Sequence, residues 1–402
     1  MAFRRNTRLD RVAIASPDRE AVAGGCDTPA VSIHLTWRGF DTLQRDSGLL
    51  CTERMTPMKD RFVSLTVTNA CNLRCQMCAQ WSKEGYLRTE PSQHRPSMSL
   101  NDWKRIVDEV AAHGIKNVLI RGGEPFLLPG IIELLDHIAK KGIFASIDSN
   151  GTQLAKFADD IVRIGQVHVT VSVDGPESIH DAVRGVPGSY QQLAQGLAAI
   201  RVAEQSQGAT ISKSITFTIS PWSYRGLGAM PDVARSLGVG SICIMPYFYV
   251  TEALGRAYEA ELRREFQTTA FSWRGFHHES SGIDVEVFEQ QLVAYRANLG
   301  SLTDYPYLPL TLDEYKTWFE SPDATVRGTQ CPNAQRLVDV QPTGEANCCV
   351  DFPDYSFGNV HDATLEQLFS SDRAQRFRER RHAAPFSACH RCGAKYMAVI
   401  RE

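Results

Sequence analysis

Three thiols on one short loop are the first feature of this sequence that can do chemistry. Cys71, Cys75 and Cys78 fall within the stretch Cys71-Asn72-Leu73-Arg74-Cys75-Gln76-Met77-Cys78. The chain has 11 cysteines in 402 residues, and five more, Cys331, Cys348, Cys349, Cys389 and Cys392, crowd the C-terminal quarter. Cys26, Cys51 and Cys243 stand alone. An odd count with no export signal points to metal binding or catalysis rather than a disulfide framework. Three thiolates on one loop suit an iron–sulfur cluster, whose irons are normally held by four cysteines. A missing fourth protein ligand leaves one iron open to an exogenous molecule. A zinc ion with a distant fourth ligand is the competing reading.

The elements around that loop alternate regularly. Phe62 to Thr68 reads as a strand that runs straight into the cysteines. A helix follows over Leu100–His113, capped by Ser99 or Asn101, with an apolar stripe of Trp103, Ile106, Val107, Val110 and Ala111. Further strands are expected at Val118–Arg121, Phe144–Asp148, Val167–Val173, Ser214–Ile219 and Ser241–Met245. Helices between them are expected at Ile131–Lys141, Leu154–Ile164, Tyr190–Gln205 and Met230–Leu237. This spacing predicts right-handed βαβ units on a parallel sheet: an α/β fold, a partial (β/α)6 TIM-type barrel over residues 60–250. Chemistry in such barrels sits where the strands end. The sequence places its cysteine loop, Gly122-Gly123-Glu124-Pro125, Ser149-Asn150-Gly151 and Asp174-Gly175-Pro176 at those ends. Turn formation alone explains the glycines and prolines, but not a glutamate and three thiols on the same rim.

Outside the barrel the pattern weakens. Residues 1–59 read as an arm, with a strand-like piece at Ala30–Trp37. Residues 251–330 break the rhythm with helical stretches at Glu259–Phe266, Val285–Asn298 and Leu312–Phe319, and read as a linking segment over the barrel mouth. Residues 331–402 are short, cysteine-rich and turn-rich, an α+β piece that a bound metal would help to hold together. Lysine plus arginine number 43 and aspartate plus glutamate 46, a formal charge of −3. That balance argues against nucleic acid as a partner. No apolar run approaches a membrane span, and Met1 to Asp10 lacks the apolar stretch of a secretory signal, so a cytoplasmic location is expected.

A C-x3-C-x2-C loop after the first barrel strand, followed by Gly-Gly-Glu-Pro after the second, resembles the radical S-adenosylmethionine (SAM) superfamily. The resemblance implies that Cys71, Cys75 and Cys78 hold a [4Fe-4S] cluster whose open iron is chelated by SAM. Reductive cleavage of SAM then gives methionine and a 5′-deoxyadenosyl radical, with the electron supplied by a flavodoxin- or ferredoxin-type reductant. Gly122, Gly123 and Glu124 match the segment that receives the methionyl amino group, with Glu124 an acceptor for the cationic amine. Ser149, Asn150 and Ser172 match positions that touch the methionyl carboxylate or ribose. Arg184 matches a basic carboxylate contact, with a helix-end salt bridge as the alternative. Met77 departs from the family, which usually places an aromatic residue there near the adenine; its thioether can pack on the ring instead.

The C-terminal pattern resembles the twitch domain, a trimmed relative of the SPASM domain. Here Cys331, Gly344, the Cys348-Cys349 pair, Gly358-Asn359-Val360 and Cys389-His390-Arg391-Cys392 follow in order, with a helix over Thr364–Arg381. The resemblance implies one auxiliary [4Fe-4S] cluster on four cysteines: Cys331, one of the pair, Cys389 and Cys392. Successive strand residues point to opposite faces, so one of the pair reaches the cluster. The spacing from Gly344 favours Cys349, and the Cys-Cys-Val-Asp run favours Cys348. A structural zinc is the alternative for this region. The basic run Arg373–Arg381 reads as the solvated face of a helix.

The substrate radical has more than one fate. Loss of its electron to the auxiliary cluster makes a dehydrogenase or a cross-linking enzyme. Hydrogen return from a thiol makes an epimerase, with Cys243 as the candidate donor, although a lone strand cysteine also reads as an apolar core residue. Tyr247 and Tyr249 line the pocket or pack in the core. Peptide-modifying relatives frequently carry a leader-binding domain ahead of the barrel, and 1–59 reads as too short for one. A small, carbohydrate-derived substrate is therefore the expectation, with a peptide as the alternative. A non-catalytic iron–sulfur carrier would have no use for the Gly122-Gly123-Glu124 segment.

Overall fold

The computed structural model describes residues 57–89, 97–326 and 331–393. The strand expected at Ala30–Trp37, Cys26, Cys51 and the arm up to residue 56 lie outside the described residues. One ten-stranded sheet organises the chain, in the order β10-β9-β8-β1-β2-β3-β4-β5-β6-β7. The strands β1 (Phe62–Thr68), β2 (Asn117–Gly122), β3 (Phe144–Ser149), β4 (Val167–Ser172), β5 (Ser212–Ile219) and β6 (Ser241–Pro246) are consecutive and parallel. Between them run α1 (Leu100–Ala112), α2 (Ile131–Lys140), α3 (Leu154–Ile164), α4 (Glu177–Arg184), α5 (Ser189–Gln207) and α6 (Met230–Leu237). The partial barrel follows from this βαβ succession.

Local chemistry explains the elements. Ser99 caps α1 in a reciprocal capping box with Asp102, and Trp103, Ile106, Val107 and Val110 form its buried stripe. Along the strands one set of alternate residues is apolar and wholly buried under the helices, for example Val63, Leu65 and Val67 on β1 and Val167, Val169 and Val171 on β4. The other set, facing the concave side, is polar: Ser64, Thr66 and Thr68 on β1, Arg121 on β2, and Ser146 and Asp148 on β3. A packed barrel core would be apolar on both sides, so this concave face is built to meet something polar.

Four features depart from the sequence-based expectations. The linking segment contributes a seventh parallel strand, β7 (Thr303–Asp304), which pairs with β6 after α7 (Glu252–Phe266) and α8 (Val285–Asn298). Helix α7 starts at Glu252 rather than Glu259 because the Thr251 side chain caps it. α9 (Leu312–Glu320) follows on a Thr311–Glu314 capping box. The C-terminal part is no separate layer: β8 (Leu337–Val340) pairs in parallel with β1, from Phe62↔Leu337 to Leu65↔Val340, and extends the barrel sheet. β9 (Glu345–Asn347) and β10 (Gly358–Asn359) then continue it antiparallel. The helix expected over Thr364–Arg381 is two helices, α10 (Leu365–Ser370) and α11 (Asp372–Ala383). Ser371 is extended at ψ 152° and its side chain caps the second. No helix among the described residues is long and apolar enough to cross a membrane.

Candidate SAM and iron–sulfur site

The cysteine loop is strapped down on both sides. On one side, Gly123 N–H donates to Thr68 O (2.8 Å) and Glu124 N–H donates to Ala70 O (2.8 Å). A Cβ on Gly122 would lie 2.4 Å from Thr68 O, and one on Gly123 would lie 2.3 Å from Ala70 O, so the approach excludes any side chain at either position. On the other side, the carbonyls that end α4 receive the loop. Arg74 N–H donates to Arg184 O (3.0 Å), Gln76 N–H to Val183 O (2.9 Å) and the Gln76 amide to Ala182 O (2.8 Å). Helix ends leave such carbonyls without intrahelical partners, and here the cluster loop supplies the partners.

Cys71, Cys75 and Cys78 are half-buried and close enough to raise one another's thiols. Burial is the larger cause, and it pushes Cys78 up to about 11. Metal binding at this loop must therefore release protons. Arg184 is buried, its Nε donating to Asp174 Oδ2 (2.5 Å) and its Nη1 lying 3.7 Å from Cys75 Sγ. Burial opposes the guanidinium charge, but Asp174 and Cys75 outweigh it and raise the group. The helix-end salt bridge is thus present, and the guanidinium also reaches the Cys75 sulfur.

Glu124 is committed internally. The residue is 0% exposed; its Oε1 accepts from Ser149 Oγ (2.9 Å) and Phe126 N (3.1 Å), and its Oε2 from Asn150 N (2.7 Å). Its carboxyl is raised by burial against these donors. This geometry makes Glu124 a strut between the ends of β2 and β3 rather than an open acceptor. Asn150 carries the bracing onward, its amide donating to Asn72 Oδ1 (2.9 Å) in the cysteine loop. Ser149 shares its hydroxyl between Glu124 and Gly151 N. Ser172 and Met77 are half-buried, the first on the concave face of β4 and the second beside Cys78.

The C-terminal cysteines form a second group. Cys331 precedes β8, the Cys348-Cys349 pair leaves β9, and Cys389 and Cys392 lie on the last turn, Ser387–Arg391, and just beyond it. Cys349 is raised first by burial and then by Cys392 and Asp351, and its sulfur accepts from Phe352 N–H (3.4 Å). Cys348 is 3% exposed, with Arg378 and Arg381 among the charges acting on it, and it in turn acts on Arg61. Among the described residues no three His, Cys, Asp or Glu side chains are drawn together as one metal ion requires. A four-iron cluster, wider than an ion, does not need that convergence.

Four charged residues went unnoticed in the sequence. Arg121 and Asp148 face the concave side of adjacent strands one layer below the cysteine rim, and Asp339 on β8 and Asp351 after the cysteine pair act on Arg121 from the C-terminal part. Burial opposes the Arg121 charge, but the three aspartates outweigh it. Asp148 keeps open surface, yet desolvation raises its carboxyl, so it faces an interior space rather than bulk water. The alternation of polar and apolar residues in Asn117–Gly122 and Phe144–Ser149 carried the signal. Cys243 is 7% exposed in the same inward set, in register with Thr216, and burial pushes its thiol up to about 12. Tyr249 is core, donating to Phe319 O (3.3 Å), whereas Tyr247 contacts half-buried Trp222 and His278 at ring distances of 5.9 and 5.6 Å.

An open parallel barrel with a three-thiol loop strapped to a Gly-Gly-Glu rim, joined through one sheet to a second thiol group, defines an iron–sulfur enzyme scaffold of the SAM-cleaving class. Residues 65–216 match the radical SAM superfamily, and residues 331–393 match SPASM, an iron–sulfur cluster-binding domain. The chain thus carries a radical SAM domain followed by a SPASM domain. It is 28% identical to the Fe-coproporphyrin III synthase of Methanosarcina barkeri, over 51% of this chain and 49% of that protein. It thus spans about half the length of that relative. It is 23% identical to the subtilosin biosynthesis protein AlbA of Bacillus subtilis, over 84% of this chain and 67% of that one. The crystal structure of Streptococcus suis SuiB bound to its precursor peptide SuiA superposes with a TM-score of 0.56 at 14% identity, covering 81% of this chain and 67% of that one. At that identity the likeness concerns fold.

The cofactors follow with the family: SAM with a [4Fe-4S] cluster at the barrel, and auxiliary iron–sulfur at the SPASM domain. The residues fit these groups. Three half-buried thiols share a loop whose neighbour, Arg184, already carries a buried positive charge beside Cys75. Glycines at 122 and 123 let the end of β2 close directly on the backbone of Thr68 and Ala70 beside the cysteine loop.

Proposed function

We propose that this chain is a peptide-modifying radical SAM enzyme that ends in net oxidation of its substrate. The observation that carries this reading is the alignment with a bacteriocin biosynthesis protein over 84% of the chain, whereas the tetrapyrrole-related synthase aligns over 51%. The relatives named above give the expected carbohydrate-derived metabolite no support. The charge balance of the interior argues in the same direction: Arg121 stands among Asp148, Asp339 and Asp351, a poor setting for a tetrapyrrole with its anionic propionates.

In this reading Cys71, Cys75 and Cys78 hold the first cluster, which with SAM supplies a 5′-deoxyadenosyl radical for removal of hydrogen from the substrate. Cys331, Cys349, Cys389 and Cys392 hold one auxiliary cluster, which supplies an acceptor for the second electron. Cys349 is chosen over Cys348 because Cys392 is the first charge acting on it, whereas Cys348, acted on first by Cys331, also has the cations Arg378 and Arg381 acting on it. Gly122 and Gly123 present backbone to the methionyl group, and Ser172 and Met77 border it. Arg121 anchors a substrate carbonyl on the polar concave face and Asp148 a peptide N–H or cationic group. Cys243 keeps its proton at neutral pH and borders the same space. The test is anaerobic incubation of reconstituted protein with SAM, reductant and candidate precursor peptides, read by mass spectrometry. A mass loss of two hydrogens with one 5′-deoxyadenosine per event is expected, and Arg121→Met and Asp148→Asn should abolish it. Turnover of a coproporphyrin but of no peptide would overturn the reading, as would a mass-neutral epimerisation lost in Cys243→Ala.

A further inference from the structure

The inward face of β4 and β5 carries a hydrogen-bonded chain that no step above uses. Both ring nitrogens of His168 are engaged, Nδ1 with Ser212 Oγ (2.7 Å) and Nε2 with Ser214 Oγ (2.8 Å). Ser214 Oγ in turn donates to Thr170 Oγ1 (3.2 Å). Sheet register places the chain. His168 and Ser212 take the first inward position of their strands, level with Ser146 on β3. Thr170 and Ser214 stand one layer nearer the mouth, level with Asp148. Four groups in series thus run from beside Asp148 towards the foot of the barrel, the end opposite the cysteine loop. His168 is level with hydroxyls rather than charges, and burial alone lowers it to about 4, so the ring rests neutral. The Tyr305 hydroxyl also bonds Ser214 and keeps its proton, because burial raises it. A neutral imidazole donates from one nitrogen and accepts on the other, and a hydroxyl does both. Every bond of the chain can therefore run in either direction, as a proton relay requires.

We propose that Thr170, Ser214, His168 and Ser212 form a proton relay that carries the substrate's proton from Asp148 to water at the foot of the barrel. This rests on the reading of net peptide oxidation, in which Asp148 holds a substrate N–H. With SAM and substrate seated at the mouth, a proton released between them has no open route past them. Neighbouring strands lie about 4.8 Å apart, so Asp148 and Thr170 are within one hydrogen bond or one bridging water of each other. Atoms and electrons balance. The substrate C–H bond breaks and its hydrogen atom leaves with 5′-deoxyadenosine. One electron passes to the auxiliary centre, the N–H proton goes to the Asp148 carboxylate, and a C=N bond forms where the two hydrogens were lost. Each relay group then accepts a proton from the Asp148 side and gives one up on the Ser212 side, and Ser212 releases one to water. Rotation of the hydroxyls and a change of imidazole tautomer restore the chain.

The test begins without a substrate, by NMR on the reconstituted full chain carrying isotope-labelled histidine. The His168 ring signals, assigned by their loss in His168→Gln, should show the two nitrogens averaged between tautomers. Ser214→Ala should fix one tautomer, and Ser212→Ala should slow exchange of the ring proton with solvent about tenfold. A single fixed tautomer in the parent overturns the relay, as does ring exchange equally fast in Ser212→Ala and parent. The second arm uses the peptide found to lose two hydrogens. A substrate radical that cannot shed its proton is quenched before it is oxidised, so Ser212→Ala should raise the 5′-deoxyadenosine formed per peptide oxidised from one to about two or more. A ratio that stays at one in Ser212→Ala overturns the relay equally. If no peptide is oxidised although ring exchange is fast in the parent and slowed in Ser212→Ala, the reading of the substrate is overturned instead, and the two failures are told apart.

Discussion

Glu124 offers the sharpest separation between a ligand-binding and a bracing role. In Glu124→Gln one oxygen survives. Placed at the Oε1 position it keeps the bonds from Ser149 Oγ and Phe126 N, and turns the amide NH2 toward Asn150 N–H, a donor now 2.7 Å away. One charge-assisted bond is lost and a buried donor is left without its acceptor, offset in part because a neutral amide is easier to bury; the net cost is roughly 2 kcal/mol. Because the strut spans the ends of β2 and β3, the loss should appear in cofactor-free protein. Urea unfolding of the cluster-free full chain should show the midpoint fall in Glu124→Gln with the slope unchanged. Ser149→Ala, which removes one of three donors, should cost about half as much, on the order of 1 kcal/mol. An unchanged midpoint in Glu124→Gln together with lost SAM affinity would refute the bracing role and make Glu124 a direct ligand.

Other expectations follow from the same geometry. Gly123→Ala drives a Cβ into backbone at Ala70, so iron at the barrel centre should fall away while auxiliary iron is retained, as measured by iron and EPR signals. Asp174→Ala leaves Arg184 charged and buried without its carboxylate, and should destabilise the cluster-free protein by about 3–5 kcal/mol in urea. Burial lowers His180 to about 3 and His168 to about 4, so both stay neutral in the fold while the unfolded chain protonates near its ordinary value. Their contribution is complete above that value and is lost as pH falls below it. Between pH 7 and 5 each should cost about 2 kcal/mol. His168→Asn should flatten this pH dependence.

The barrel was readable because each unit is local: a capped amphipathic helix beside an alternating strand, repeated at steady spacing. What joins its edges was not. β7 has two residues, too few for any period, and forms because Tyr305 N–H and Tyr307 N–H reach the carbonyls of Ile242 and Ile244. The pairing of β8 with β1 brings Asp339 to Thr66 across 273 positions, a contact no local pattern announces. Arg121 and Asp148 were visible as strand residues, but their importance depends on which face of the sheet is concave. Cysteine spacing placed both thiol groups. It could not show that Glu124 is consumed by Ser149 and Asn150, nor that the basic run expected as one solvated face would split, with Arg373 and Arg376 exposed and Arg378 and Arg381 buried beside Ala374 and Phe377. Those outcomes depend on packing partners distant in sequence.

Two iron–sulfur centres serving SAM cleavage are the centre of this account, and one anaerobic experiment addresses them directly. Iron and sulfide per chain and 5′-deoxyadenosine formed from SAM would be measured for the reconstituted protein, for Cys71/Cys75/Cys78→Ala, and for Cys389/Cys392→Ala. About eight irons are expected in the parent, as two four-iron clusters require. Cleavage should be abolished in the first variant, and about four irons should remain in the second. Zinc at the C-terminal cysteines, or 5′-deoxyadenosine formation surviving loss of the three loop thiols, would contradict it.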